Sequence, residues 1–184
     1  MRKLLMYMQS TANGFGADPG DEMFWAKVSD QTWEFTNSLH DRCDAMVMGR
    51  KMYQDFLGFW PEQAKDESDS DVARHARWQY DLAKYVLSAS LTEADPSWPN
   101  TQILSSLDDL KALKEQPGKD ILIAGGIGIT KACANAGLID DYYIHVNPAT
   151  IPEGTLLLDA RLDLQLVDVK QHDTGVVALH YRPA

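Results

Sequence analysis

The chain has 184 residues, enough to bury a sizeable core in one domain spanning residues 1–184. Its 17 basic and 27 acidic residues leave a net charge of -10. That balance disfavours nucleic acid or an anionic membrane as the main partner, since both reward a basic face.

Met1-Arg2-Lys3-Leu4-Leu5-Met6-Tyr7 lacks the long apolar run and small-residue cleavage site of a signal peptide. No segment reaches membrane-spanning length, so the expectation is a cytoplasmic protein. Leu4 to Met8 reads as a buried central strand, followed by a loop over Gln9 to Gly20. Ser29 is placed to cap a helix from Asp30 to Arg42, with Trp33, Phe35, Leu39 and Cys43 on its apolar side. Ala45 to Met48 is a second buried strand, stopped by Gly49, and a short helix spans Lys51 to Phe56. Pro61 to Asp71 is polar, with few apolar anchors, and reads as an exposed insertion.

Helix is expected over Val72 to Leu82, then strands over Lys84 to Ser88 and Thr101 to Leu104. Ser106 caps a helix over Leu107 to Lys114, with Asp108 and Asp109 in its first turn. The run Asp120-Ile121-Leu122-Ile123-Ala124-Gly125-Gly126-Ile127-Gly128-Ile129 is a strand passing into a glycine turn, and a helix follows to Ala136. Gly137 stands where a helix-ending glycine belongs. Tyr142 to Val146 alternates as a strand, and Leu162 to Lys170 with Val176 to Tyr181 forms an antiparallel pair around Thr174-Gly175. Strands alternating with helices predict an α/β fold, with a mostly parallel central sheet, helices on both faces and an antiparallel C-terminal edge.

The glycine turn is a place for a phosphate. Glycines let another molecule approach the main chain, and the helix behind offers unpaired N–H groups and partial positive charge. Two common phosphate motifs are excluded. A dinucleotide fingerprint starting at Gly126 needs glycine where Lys131 stands, and a P-loop needs glycine where Thr130 stands. Cys43 and Cys133 are far apart without metal-ligand spacing and read as buried free thiols. The five histidines also lack metal spacing, and His145 reads as a core histidine. No metal site is expected.

Three segments share an order and spacing: Val47-Met48-Gly49-Arg50-Lys51-Met52-Tyr53, Lys84-Tyr85-Val86-Leu87-Ser88-Ala89-Ser90, and the glycine turn. With Ser10-Thr11-Ala12-Asn13-Gly14-Phe15 and Ala136-Gly137-Leu138-Ile139-Asp140, they resemble the bacterial dihydrofolate reductase-like family. That family shares its fold with the RibD C-terminal reductase domain of the riboflavin pathway. The resemblance runs through nearly the whole chain and implies a dihydrofolate reductase-like three-layer sandwich. It further implies NADPH lying across the carboxyl ends of the strands. Gly49 would admit the cofactor, with Arg50 and Lys51 beside it and Arg50 pairing with phosphate. Ser88 and Ser90 would offer hydroxyls to the adenosine phosphate or, equally, cap the strand end. Gly125, Gly126, Ile127 and Gly128 would present main-chain donors to the pyrophosphate. Met52 and Ala89 depart from the pattern, which usually has threonine and a basic residue there.

Asp30-Gln31-Thr32-Trp33 resembles the Asp-x-x-Trp start of the substrate-gripping helix, which makes Asp30 the candidate proton donor. The competing reading of Asp30 is a helix-dipole partner with no catalytic role. Trp33 and Tyr53 are candidates to line the pocket of a flat heterocycle, with core packing as the alternative. The resulting expectation is an NADPH-dependent reductase of a pterin or ribosylaminopyrimidine type of substrate, working as a homodimer as relatives commonly do. The riboflavin-pathway 5-amino-6-(5-phosphoribosylamino)uracil reductase is one alternative, and a non-catalytic nucleotide-binding module on the same fold is another.

Overall fold

The computed structural model describes residues 1–184. Eight strands form the main sheet: β1 (Leu4–Thr11), β3 (Cys43–Gly49), β4 (Ala83–Leu87), β5 (Thr101–Leu104), β6 (Asp120–Ile123), β7 (Asp141–Asn147), β9 (Leu164–Gln171) and β10 (Val177–Pro183). Their order is β5-β4-β3-β6-β1-β7-β10-β9. All neighbours from β5 to β7 are parallel, and β10 and β9 close the sheet as an antiparallel edge, as the sequence predicts. A second sheet pairs β2 (Phe15–Ala17) with β8 (Thr155–Leu156). Nothing in the sequence announces it, because strands of three and two residues are too short to show alternation.

The helices are α1 (Asp30–Arg42), α2 (Arg50–Leu57), α3 (Trp60–Gln63), α4 (Asp71–Asp81), α5 (Leu107–Glu115) and α6 (Ile127–Asn135). Three of them begin at a serine whose hydroxyl accepts a backbone N–H: Ser29 for α1, Ser70 for α4 and Ser106 for α5. Such a cap contributes on the order of 1 kcal/mol. The predicted insertion is partly helical, since Pro61 lies in α3. The aromatic beside it explains why: Trp60 packs 5.9 Å from Phe56 and 5.2 Å from His75, ring centre to ring centre, and anchors the turn.

The parallel strands are buried on both faces. Leu4 and Met6 of β1 enter the core beneath α5 and α6, with Ile121, Ile123 and Cys133. Leu5 enters the core on the opposite face, with Leu39 of α1, Met46, Met48 and Tyr53. Burying each such side chain contributes about 1.5–3 kcal/mol. Cys43 and Cys133 are free and buried, and burial pushes both thiols up to about 12. Lys84 is wholly buried, its ammonium donating to the carbonyls of Gln79, Tyr80 and Leu82 at 2.8–2.9 Å. It thereby satisfies carbonyls left open at the end of α4. No helix is long and apolar enough to cross a membrane.

Candidate functional site

Strand register brings the expected cofactor segments to one edge. Gly49 pairs with Leu87, so Arg50 and Ser88 leave adjacent strands side by side. Val47 pairs with Ile123, so the Gly125–Gly126 turn follows the next strand over. The helices behind these ends, like the short α3, are not capped by serine. α2 begins at Gly49 and α6 at Gly126, and neither receives a side-chain hydrogen bond at its N-terminus. First-turn N–H groups at both helix starts therefore have no side-chain partner and carry the positive ends of two helix dipoles. A site meant for anions has this form, and serine at either position would compete with the ligand.

The glycines have steric reasons to be there. Gly125 is buried at φ +104°, which other residues rarely adopt, and the Gly125–Gly126 peptide is cis. A β-carbon on Gly49 would rest 4.0 Å from Ile129, so α2 starts in contact with α6. A β-carbon on Gly16 would come within 2.9 Å of Ile127, so the small β2 sheet leans on the start of α6. Ile127 is half-buried and Gly128 exposed.

The predicted side chains behave differently from one another. Arg50 is exposed and forms no ion pair, so its guanidinium is free for a ligand. Lys51 is spoken for by Asp21. The Ser88 hydroxyl accepts from the N–H groups of Ser90 at 3.2 Å and Leu91 at 3.0 Å, which is turn capping, while Ser90 is exposed nearby. Tyr53 is buried, stacks 6.0 Å from Trp98 and accepts from the Asp95 N–H at 2.8 Å. It packs the core and does not reach the glycine edge. Trp33 turns toward α4, its ring centre 5.9 Å from that of His75. Asp30 is exposed in the first turn of α1 and makes no side-chain hydrogen bond.

The sequence reading missed a polar chain on the sheet beneath α1. Asn147 donates to Gln9 at 2.9 Å, Gln9 donates to the Tyr7 hydroxyl at 3.0 Å, and that hydroxyl lies 3.4 Å from His145 Nδ1. Residues 7 and 9 share one face of β1, and 145 and 147 share one face of β7. Both are visible as alternation. Their meeting depends on the pairing of Gln9 with His145, 136 positions later, which alternation cannot supply. Burial pushes the His145 imidazole down to about 4, so it stays neutral. No group of three or more His, Cys, Asp or Glu side chains is arranged to hold a metal.

The chain is 28% identical to the uncharacterized protein YyaP of Bacillus subtilis, over 98% of this chain and 94% of that one. A putative riboflavin biosynthesis protein from Shewanella sp. PV-4 has the same fold, with TM-score 0.74, 19% identity and coverage of 99% of both chains. A deaminase and 5-amino-6-(5-phosphoribosylamino)uracil reductase from Thermotoga maritima gives TM-score 0.70 at 14% identity, with all of this chain covering 57% of that longer one. Residues 2–178 match the RibD C-terminal domain, and the chain belongs to that family.

Proposed function

We propose that the protein is an NADPH-dependent reductase of a small planar heterocycle of the pyrimidine or pterin type. The observation that carries this reading is the pair of helix starts at Gly49 and Gly126. They lack side-chain caps, share one sheet edge, and have the unpaired Arg50 beside them. The donor set suits a pyrophosphate-bearing dinucleotide. Main-chain N–H groups from 126–128 and 50–52 would hold its phosphates, and Arg50 would add a charge-assisted bond. NADPH, when bound, supplies the hydride. The chain's task is to bind and orient it and to keep water from the reacting face. Asp30, exposed and unpaired, keeps its carboxyl available for a proton. The family's association with riboflavin-pathway pyrimidine reductases favours a pyrimidine over a pterin.

A reductase drawing on NADPH fits a cytoplasmic setting. We also propose a homodimer, because β9 ends the sheet with an unpaired edge and with Leu166, Val167 and Val169 exposed. The test is titration of the protein into NADPH and NADH by nicotinamide fluorescence, followed by absorbance assays across pyrimidines and pteridines. Micromolar NADPH binding with consumption on at least one substrate is expected. Binding without consumption across the panel would mark a nucleotide-binding module, and no binding at all would remove the reading.

A further inference from the structure

A cavity of about 330 Å³ lies beneath α1, between Gln31, Glu34 and Phe35 on the helix and the strands β7, β10 and β9. Its size falls within the range of small-molecule pockets, about 300–1,000 Å³. It is separate from the glycine edge. It centres on β10, three strand spacings or about 14 Å from β6.

Its floor holds buried polar groups without partners. His145 is 1% exposed and His172 3% exposed, and their rings meet edge to face with centres 5.2 Å apart. His145 Nε2 and His172 Nδ1 are both buried and unbonded. Leaving such atoms unsatisfied costs roughly 1–3 kcal/mol each.

The proton on His145 can be assigned from its neighbours. The Lys27 backbone N–H can only donate, and it donates to Asn147 Oδ1 at 2.8 Å. Asn147 therefore presents its amide nitrogen to Gln9, and Gln9 presents its own to Tyr7. The Tyr7 oxygen is occupied as an acceptor, which leaves its proton for His145 Nδ1, the nearest ring nitrogen. Thr36, the other hydroxyl beside Tyr7, gives its own proton to the Thr32 carbonyl and is the weaker acceptor. His145 consequently carries its hydrogen on Nε2 and offers a neutral donor. Burial lowers His172 as well, and with its hydrogen on Nε2 its unbonded Nδ1 accepts. A neutral donor beside a neutral acceptor matches the C=O and N–H of a ring lactam, and Phe35 supplies a flat wall 5.0 Å from the His145 ring centre.

We propose that the groove beneath α1 is a second ligand site, which receives the lactam edge of a flat heterocycle on His145 and His172. The ligand held there is bound apart from the nicotinamide position and is not the hydride acceptor. The assignment concerns binding alone, so it stands or falls independently of turnover at the glycine edge.

Imidazole 15N NMR on the full chain tests it, with uracil as the probe. Without ligand, His145 should show its proton on Nε2. Uracil should shift His145 Nε2 and His172 Nδ1 together, and 1,3-dimethyluracil, which has no ring N–H, should bind at least tenfold more weakly. His145→Phe and, separately, His172→Phe should lower uracil affinity at least tenfold and leave NADPH affinity unchanged. A proton on His145 Nδ1, equal binding of the dimethyl compound, or imidazole signals unmoved by saturating uracil would overturn the proposal, the last meaning that the groove holds only water. Displacement of uracil by NADP+ would also overturn it, by merging groove and cradle into one site.

Discussion

Met52 lies over Gly125: a β-carbon on the glycine would come 3.0 Å from Met52 Cε. The same glycine sits at φ +104°, so two separate costs bar a side chain there. Gly125→Ala should lose about 1–3 kcal/mol of stability, mostly from backbone strain. It should also weaken NADPH binding at least tenfold by displacing the turn. Adding Met52→Ala relieves the contact and not the dihedral, so the double variant should recover only part of the loss. Urea melts and nucleotide titration of the three variants check this, and full recovery in the double variant would show that crowding alone made glycine necessary.

Arg50 is exposed and unpaired, at a helix start that receives no side-chain cap. Removing it costs the fold almost nothing, since no contact of the folded chain depends on its charge. Arg50→Ala should therefore leave the melting temperature unchanged within error while weakening NADPH by roughly 10- to 100-fold, the worth of a charge-assisted hydrogen bond. Arg50→Lys should fall between, because an ammonium lacks the guanidinium fork. Raising the salt concentration should narrow the gap between wild type and Arg50→Ala. An affinity unchanged in Arg50→Ala would remove this residue from the cradle.

The acid limb of stability follows from two histidines. Burial lowers His145 to about 4 and His75 to about 3, and His75 also meets His40 and Gln79 at 3.0 and 2.6 Å. Both folded values lie below the unfolded one of 6.5. Above about pH 6.5 neither state binds these protons. As pH falls below it, the unfolded chain takes them up and the folded chain does not, so stability is lost progressively toward pH 4. With two protons taken up on unfolding, the slope should be about 2–3 kcal/mol per pH unit between pH 6 and 5. Urea unfolding measured at half-unit steps gives the slope directly. A flat profile in that window would mean that these imidazoles titrate normally in the fold.

Much of this architecture is written locally. Ser29 and Ser106 announce their helices, and Gly175, at φ +83°, turns the last hairpin. The glycine edge is legible for the same reason: a buried strand passing into glycine says where the chain must stop and turn. The far side of the site is less so. Trp33 and Phe35 both look apolar and available, but two helical positions place them about 200° apart. Once Phe35 faces the sheet, 5.0 Å from His145, Trp33 must face α4. Tyr53 misleads likewise, because the loop that receives its hydroxyl, around Asp95, has no periodicity to reveal its path. The histidine groove joins β1, β7 and β9 through strand pairings alone, and those record long-range register rather than composition.

The open edge of β9 gives the last expectation. Residues 165–171 are exposed, and Leu166, Val167 and Val169 are 50%, 45% and 54% accessible. An unpaired edge with exposed apolar side chains is a template for another strand. A two-fold axis through Val169 would set Val169 against itself and put Asp168 opposite Lys170 of the partner subunit twice over. Opposite charges directly across an antiparallel pair contribute roughly 0.2–1 kcal/mol each. Sedimentation should therefore show a dimer for the wild type. Lys170→Asp should shift it toward monomer by placing like charges across the edge, and Asp168→Lys combined with Lys170→Asp should restore it. Val169→Lys should give monomer with the fold intact by circular dichroism. A wild-type monomer at micromolar concentration would overturn the homodimer, and a dimer indifferent to all of these changes would move the interface elsewhere.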